Sequence, residues 1–343
     1  MEAAAAAVAG LEADAGPGSG AISSFLIRTE SISSSKIEHV EASTDDFARA
    51  IAGIRANESA TSMVAASRAV GKMINDAGKA GLITLDSMLA AHHTLMKDDP
   101  HDQAFAGKVR DQQNWILGSD YSPIGAVHVP PVPERVGELL EDLIEFSNRD
   151  DIPAIAQAAI AHAQFESIHP FTDGNGRIGR ALIGAILRRR GLTVTTTPPI
   201  ASALVAKQQD YFDMVNRYRD GYLDPFIQSM ARSTQIASQE ARVSVTRIRE
   251  LPTEWAETVR PRSGSAAHTL LSVLLDHPVI SAQEAEDLGH AATSSTYAAL
   301  DRLEEAGVVH QITNRQRNRV WAVSAITSEL DDLTARIARR ARE

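Results

Sequence analysis

The sequence predicts an all-α protein whose C-terminal part is a smaller unit of three helices and a β-ribbon. Three observations carry that expectation. From residue 22 to residue 248 apolar side chains recur at three- and four-residue spacing, the period of an amphipathic helix. Strand-like alternation is confined to Val309, Ile312, Val320 and Ala322, after Gly307. Between the two regions stands Arg260-Pro261-Arg262-Ser263-Gly264, whose composition reads as a linker. A chain of 343 residues also exceeds the usual span of one hydrophobic core. The expected division is residues 1–21 as a disordered tail, 22–262 as the main helical body and 263–343 as the second unit.

The opening MEAAAAAVAGLEADAGPGSG is Ala-rich, lacks a basic leader and carries acids, so it reads as a frayed tail rather than a signal peptide. Ile22 to Val40 follows, with Phe25, Leu26, Ile32 and Ile37 at helical spacing. Further helical patterns cover 44–56, 58–77 and 84–96, with Gly81 as a break. Residues 105–133 differ: Gly107, Gly118, Gly125, Trp115, Tyr121 and the run Val129-Pro130-Pro131-Val132-Pro133 describe a loop or short hairpin over the helices. Glu134 to Asn148 carries an apolar face, Ala154 to Ile168 is a buried Ala-rich helix, and Ala181 to Arg190 is a short helix stopped by Gly191. Two helices at 204–219 and 222–248 complete the body. Beyond the linker, His268–Asp276, Ser281–Leu288 and Thr293–Ala306 are helical, the second opened by the capping box Ser281 and Glu284. With the ribbon they predict a winged helix-turn-helix, the third helix being the recognition helix.

Composition removes several function classes. The chain has no cysteine, which excludes disulfides, thiol nucleophiles and thiolate metal sites. A formal charge of −10 argues against a surface that binds polyanions everywhere. No run of about eighteen uncharged apolar residues is present, so no membrane span is expected and the protein reads as cytoplasmic.

One segment has a composition that packing does not require: His169-Pro170-Phe171-Thr172-Asp173-Gly174-Asn175-Gly176-Arg177-Ile178-Gly179-Arg180. Pro170 discourages the α conformation at His169 and ends the preceding helix, and Gly174 and Gly176 allow a sharp turn before Arg177 opens a new helix. Unpaired N–H groups at a helix start, with the positive end of its dipole, bind anions such as nucleotide phosphates. Arg177 and Arg180 are three residues apart on one face and offer two guanidinium forks. Asp173 is a hard oxygen ligand suited to a hydrated Mg²⁺, and His169 titrates near neutrality and can accept a proton from a hydroxyl. The His, the Gly-Asn-Gly and the Arg pair each have a bland reading alone: a structural His at a helix end, an ordinary turn and solvated arginines. Their order is what points to chemistry.

At every fixed position the twelve residues match the signature H-P-F-x-D/E-G-N-G-R-x-x-R, and on these the chain resembles the Fic family. That resemblance implies a Fic-type helical core that transfers AMP from ATP to a hydroxyl of a target protein. It implies His169 as general base, Asp173 as Mg²⁺ ligand, and Phe171, Gly174, Asn175, Gly176, Arg177 and Arg180 as the ATP and phosphate site, with Arg180 on the γ-phosphate. As the base, His169 must be neutral, so activity is expected to fall below roughly pH 6. Ala106-Gly107-Lys108-Val109-Arg110 and Asn114-Trp115-Ile116-Leu117-Gly118 resemble the family's β-hairpin flap. Gly107, Arg110, Trp115, Ile116 and Gly118 would then dock a target segment by strand-like pairing; the alternative is an ordinary hairpin. Tyr211, in Asp210-Tyr211-Phe212, resembles the aromatic that lines the adenine pocket, with helix packing as its other reading.

Ser33-Ser34-Ser35-Lys36-Ile37-Glu38-His39 resembles the inhibitory helix of one Fic class, S/T-x-x-x-E-G/N, in which Ser34 and Glu38 match and His39 departs. The resemblance implies that Glu38 pairs with Arg180 and displaces the γ-phosphate. A solvated helix acid is the alternative. Many bacterial members with such a helix also carry a winged helix. Here its DNA role is doubtful by charge, since residues 264–343 hold 8 Arg and no Lys against 11 Asp and Glu. Arg315, Arg317 and Arg319 would meet phosphate on the wing, Thr293, Ser294, Ser295 and Tyr297 would face a groove, and Arg336 to Arg342 would form a solvated end. Partners expected from the resemblance are ATP, a target protein, DNA or protein through the winged helix, and a second copy of the chain. Two rival functions stay open: a DNA-binding regulator whose core senses nucleotide without transfer, and removal of AMP with Glu38 positioning a water.

Overall fold

The computed structural model describes residues 1–16, 19–54, 57–119, 121–313 and 319–343. Their architecture is mostly helical, with one small antiparallel sheet. The N-terminal residues correct the expected tail: Glu2–Ala15 is a helix, α1, whose Val8, Leu11 and Ala15 are fully buried. Alanine is the best helix former, but its small side chain leaves little apolar periodicity to read. The helix is also tied down, because the Glu12 carboxylate accepts from Thr196 N at 3.0 Å and from Thr196 Oγ1 at 2.6 Å.

Next come α2 (Gly20–Ile37), α3 (Thr44–Ile51), α4 (Glu58–Ala80) and α5 (Leu85–Met96). α2 buries Ser31, Ser33, Ser34 and Ser35 together, small side chains that let neighbouring helices come close. The loop after α5 leads to α6 (Pro133–Ser147), α7 (Ala154–Ile168) and α8 (Asn175–Arg189). α8 begins two residues before the helix start expected at Arg177 and continues through the apolar stretch read from residue 181, so the two are one helix. α9 (Ile200–Ala206), α10 (Gln208–Arg219) and α11 (Leu223–Val259) finish the body. α11 runs well past the expected end at 248, carrying Pro252 inside it.

The C-terminal part holds α12 (Ala266–Val273), β1 (Val279–Ser281), α13 (Ala282–Gly289), α14 (Thr293–Glu305), β2 (Val309–Gln311), β3 (Val320–Val323) and α15 (Ser324–Arg342). The expected two-stranded ribbon is a three-stranded sheet in the order β1-β3-β2, both pairings antiparallel. The Ser281–Glu284 capping box is formed. α15 is not a solvated end: Leu333 and Ile337 are fully buried, Arg336 meets Glu329 at 2.7 Å and Arg340 meets Glu240 at 2.8 Å.

Two large cores and two small clusters around α3 hold the described residues together. One large core gathers α4 to α8 with the start of α11; the other joins α1, α2 and the end of α11 to the C-terminal elements, centred on Trp321. The stretch 260–264 is therefore a turn between packed parts rather than a free linker. α3 is fastened to the sheet as well, since Arg49 Nε donates to Ile312 O at 2.7 Å and His310 meets Asp45 at 3.1 Å.

Candidate active site

The signature loop lies where α7 stops and α8 starts. His169 caps α7 in the left-handed region, at φ 49° and ψ 61°, and Gly174 precedes α8 at φ 76°. No side chain caps the first turn of α8, so its N–H groups keep the anion-binding character that the spacing suggests. The loop is braced from within. Asn175 Oδ1 accepts from Phe171 N at 2.9 Å and its Nδ2 donates to Phe171 O at 2.8 Å. Phe171, expected at the nucleotide, is fully buried and stacked on His92 with ring centroids 3.8 Å apart. Asn175 and Phe171 thus shape the loop from below in this structure.

His92 fixes the far end. Its Nδ1 accepts from Gly107 N at 2.9 Å, so the opposite nitrogen, Nε2, donates to Asp173 O at 3.0 Å. Burial pushes the His92 pKa down to about 4, consistent with that neutral ring. The Asp173 carboxylate is more than half exposed beside Arg177 at 3.4 Å. No cluster of three His, Cys, Asp or Glu able to hold a metal exists among the described residues. A single hard oxygen nevertheless suits Mg²⁺, which keeps several waters and takes further oxygens from phosphate. An open cavity of about 360 Å³ adjoins it, lined by Ser62, Leu95, Asp98, Asp173 and Arg177 among others.

The two signature arginines separate instead of presenting paired forks. Arg177 donates to Ser62 Oγ on α4 at 2.8 Å, and its buried Nε has no partner. Arg180, buried, turns to α2: Nε donates to Ser34 Oγ at 2.8 Å, Nη2 to Ser34 O at 2.9 Å and Nη2 to Glu38 Oε1 at 2.7 Å. The structure thus brings together Ser34, Glu38 and Arg180. Burial acts to raise the Glu38 pKa, but the Arg180 guanidinium outweighs it and the net shift is downward, so the acid is ionised. Its carboxylate stands over the first turn of α8, where a Cβ on Gly176 would collide with it. His39, the position departing from the family pattern, adopts φ 58°, the region in which Gly or Asn is favoured. Two more carboxyls, Glu30 and Glu166, lie near Arg180, and burial pushes both up to about 7.

Burial, with the positive charges of Arg219 and His128 nearby, pushes the His169 pKa down to about 4. The imidazole is therefore neutral at physiological pH, and the expected loss of activity near pH 6 moves to lower pH. Its Nδ1 is enclosed without a partner.

The flap residues divide. Gly107 fits tightly on α5, where a Cβ would come within 2.9 Å of His93 Cβ, and Arg110 is buried. Trp115, Ile116 and Gly118 lie on the outer loop, which forms the isolated bridges Ile116↔His128 and Ser119↔Ser122 rather than a regular hairpin. Leu117, Tyr121 and Ile124 are exposed there. Tyr211 is buried, its hydroxyl 2.9 Å from His162 Nε2, which is the helix-packing arrangement. Of the wing arginines, Arg315 and Arg317 fall outside the described residues. Arg319 lies over the rings of Tyr297 and Trp321, at 4.9 and 5.1 Å. Sequence reasoning missed Ser62, His92 and His128, which lie outside any motif, and gave Asn114 of the flap segment no role; all four reach the loop only through the fold.

Residues 82–187 match the Fic/DOC family. The chain is 32% identical over 160 residues to protein adenylyltransferase Fic of Nematostella vectensis, covering 46% of this chain and 34% of that protein. Protein adenylyltransferase fic-1 of Caenorhabditis elegans is 30% identical over 160 residues, covering 46% and 28%. The chain thus spans about a third of the length of the curated relatives it matches. Among solved structures, a Fic family protein from Desulfovibrio desulfuricans G20 superposes with a TM-score of 0.54 at 20% identity, over 92% of this chain and 95% of that one. At that identity the likeness concerns the fold. None of the described helices is long and apolar enough to cross a membrane. The family likeness thus falls on residues 82–187, the segment that contains most of α5 to α8 and the signature loop.

Proposed function

We propose that the protein is an adenylyltransferase: it moves AMP from ATP to a hydroxyl side chain of a target protein, and α2 holds it inactive through Glu38. The observation that carries this reading is the placement of the Glu38 carboxylate. It lies against Gly176 in the first turn of α8 and takes the guanidinium of Arg180 at 2.7 Å. A triphosphate held on the amides at the start of α8 would bring its terminal phosphate to that guanidinium, so acid and phosphate compete. When Glu38 withdraws, Arg180 holds the γ-phosphate and Arg177 a neighbouring one, while Asn175 keeps the loop closed around the α-phosphate. Asp173 would hold Mg²⁺, which supplies charge neutralisation for the phosphates when bound.

With Nδ1 enclosed, Nε2 of His169 is the nitrogen left to face an incoming alcohol. It takes the hydroxyl proton as the oxygen bonds to the α-phosphorus; the bond from that phosphorus to the bridging oxygen breaks, and pyrophosphate leaves. Trp115, Ile116 and Gly118, on the exposed loop beside the site, would steady the target segment. The test is transfer of label to protein from α-labelled but not γ-labelled ATP. Label from the γ position would indicate phosphorylation. Release of AMP from an already modified target, without net incorporation, would indicate the reverse reaction.

The pH profile follows from His169. The base acts only when neutral, and its pKa of about 4 lies below the ordinary value, so the active form is lost only as pH falls toward 4. In kcat/KM of a Glu38→Gly variant, the acid limb is expected between about pH 4 and 5 with a slope of one proton. An acid limb near pH 6.5 would mean an imidazole in ordinary solvent.

For the C-terminal part, three helices with a three-stranded antiparallel sheet support a winged helix, and we propose a protein rather than DNA as its partner. Arg319, stacked on Tyr297 and Trp321, is committed within the unit, and Arg302 donates to the backbone of Val259 and Arg260. Duplex DNA is expected not to be retarded in a gel at low salt, where phosphate contacts are strongest. A salt-sensitive shift would restore the regulator reading.

A further inference from the structure

Arg110, expected on a target-docking flap, is only 5% exposed and faces inward. Its side chain makes four hydrogen bonds, all to backbone carbonyls: Nε to His169 O at 2.8 Å, Nη1 to Gln112 O at 3.1 Å, and Nη2 to Pro131 O at 2.6 Å and Ile168 O at 3.4 Å. Its own N–H donates to Pro170 O at 2.9 Å. No carboxylate pairs with it among the described residues. A buried guanidinium without a counter-ion is costly, and a fold keeps one only where its donors do something a neutral side chain cannot.

What they hold is the turn that carries the base. A left-handed helix cap is ordinarily Gly, and another residue there is strained. Glycine at residue 169 would remove the imidazole, so the conformation must be imposed from outside. The surroundings of Arg110 show how. Glu166 O accepts from Arg219 at 3.0 Å, Ser167 O from His128 at 2.8 Å and Phe171 O from Asn114 at 3.0 Å. Together with the three carbonyls taken by Arg110, every carbonyl from residue 166 to residue 171 is engaged by a donor from outside the signature. The central three, around His169, all belong to Arg110.

We propose that Arg110 is the positioning residue of the general base: its guanidinium, bound only to carbonyls, holds the His169 turn in the left-handed conformation that presents the imidazole to the phosphate nest. The role of His169 as base rests on the adenylyltransferase reading; the role of Arg110 in placing the ring does not need turnover to be tested.

The experiment uses the full chain carrying Glu38→Gly as parent, with Arg110→Met and Arg110→Lys added. A base displaced by about 1 Å costs roughly 10²-fold, so Arg110→Met is expected to lower kcat about 100-fold while KM for ATP stays within about threefold. Arg110→Lys, which keeps the charge but not the fork, should fall between, and millimolar guanidinium should restore part of the Arg110→Met rate. Alongside, the ring of His169 is titrated by NMR in the parent and in both variants. The parent is expected to titrate near pH 4; because the Arg110 charge itself helps to lower that value, the deciding variant is Arg110→Lys, which keeps the charge and should move up toward the ordinary histidine value only if the ring leaves its enclosure. An unchanged kcat with an unchanged ring titration overturns the proposal, as does a loss confined to KM for ATP. If Arg110→Met does not fold, Arg110→Lys alone decides on the same two readouts. If the parent transfers no AMP, the adenylyltransferase reading fails, and the ring titration still tells whether Arg110 places His169.

Discussion

Replacing Glu38 by Gly is expected to raise AMP incorporation by about 10- to 100-fold. The charge-assisted bond between Glu38 and Arg180 is of a kind worth about 1.5–3 kcal/mol, and each 1.4 kcal/mol is a tenfold change in a competing equilibrium. The substitution frees Arg180 and the space above Gly176 together, since one carboxylate fills both. Backbone strain does not complicate the variant, because Glu38 sits at φ −91°, which any residue adopts. Ser34→Ala should have a smaller effect in the same direction, as it removes one of two hydrogen bonds from Arg180 to Ser34 and leaves the carboxylate in place. The check is the initial rate of label transfer at saturating ATP. An unchanged rate, in a variant that binds ATP, would remove the brake from the account.

Loss of the imidazole should act in the opposite sense. In the Glu38→Gly parent, His169→Asn is expected to lower kcat by about 10²–10⁴-fold, the usual contribution of a general base, with ATP affinity nearly kept. Asparagine suits this test better than alanine because it tolerates the left-handed region that residue 169 occupies at φ 49°. Alanine would mix the missing base with a strained turn. Single-turnover rates and equilibrium binding, measured on the same preparation, separate the two; a variant that still transfers at the parental rate would exclude His169 as the base.

The signature loop was legible because His169 to Arg180 is a local string whose glycines, proline and charges have few other uses. The juxtaposition of Ser34 and Glu38 with Arg180 was legible for a related reason: residues one turn apart share a helix face, and the resemblance named their counterpart. Tertiary geometry hid the rest. Arg177 and Arg180 are neighbours on an ideal helix, yet α8 lies between α4 and α2, and each arginine turns to a different neighbour. Phe171 reads as a nucleotide contact by position in the motif, but the sharp turn at Gly174 folds it under the loop onto His92. Arg110 reads as a flap residue because nothing local distinguishes a guanidinium that meets a target from one that caps a helix 59 residues away. α1 escaped notice because poly-alanine buries little surface per residue, and the Gly-Pro-Gly that follows it looks like the end of order.

Whether Glu38 and the terminal phosphate contend for one guanidinium is tested most directly by calorimetric affinities of wild type and Glu38→Gly for Mg-ATP and Mg-ADP. Wild type should bind the two nucleotides about equally, because Arg180 is already taken. The variant should prefer ATP by about tenfold or more, the worth of one charge-assisted contact. The same ATP-to-ADP ratio in both proteins would contradict the account, since Arg180 would then meet the γ-phosphate regardless of Glu38, or never.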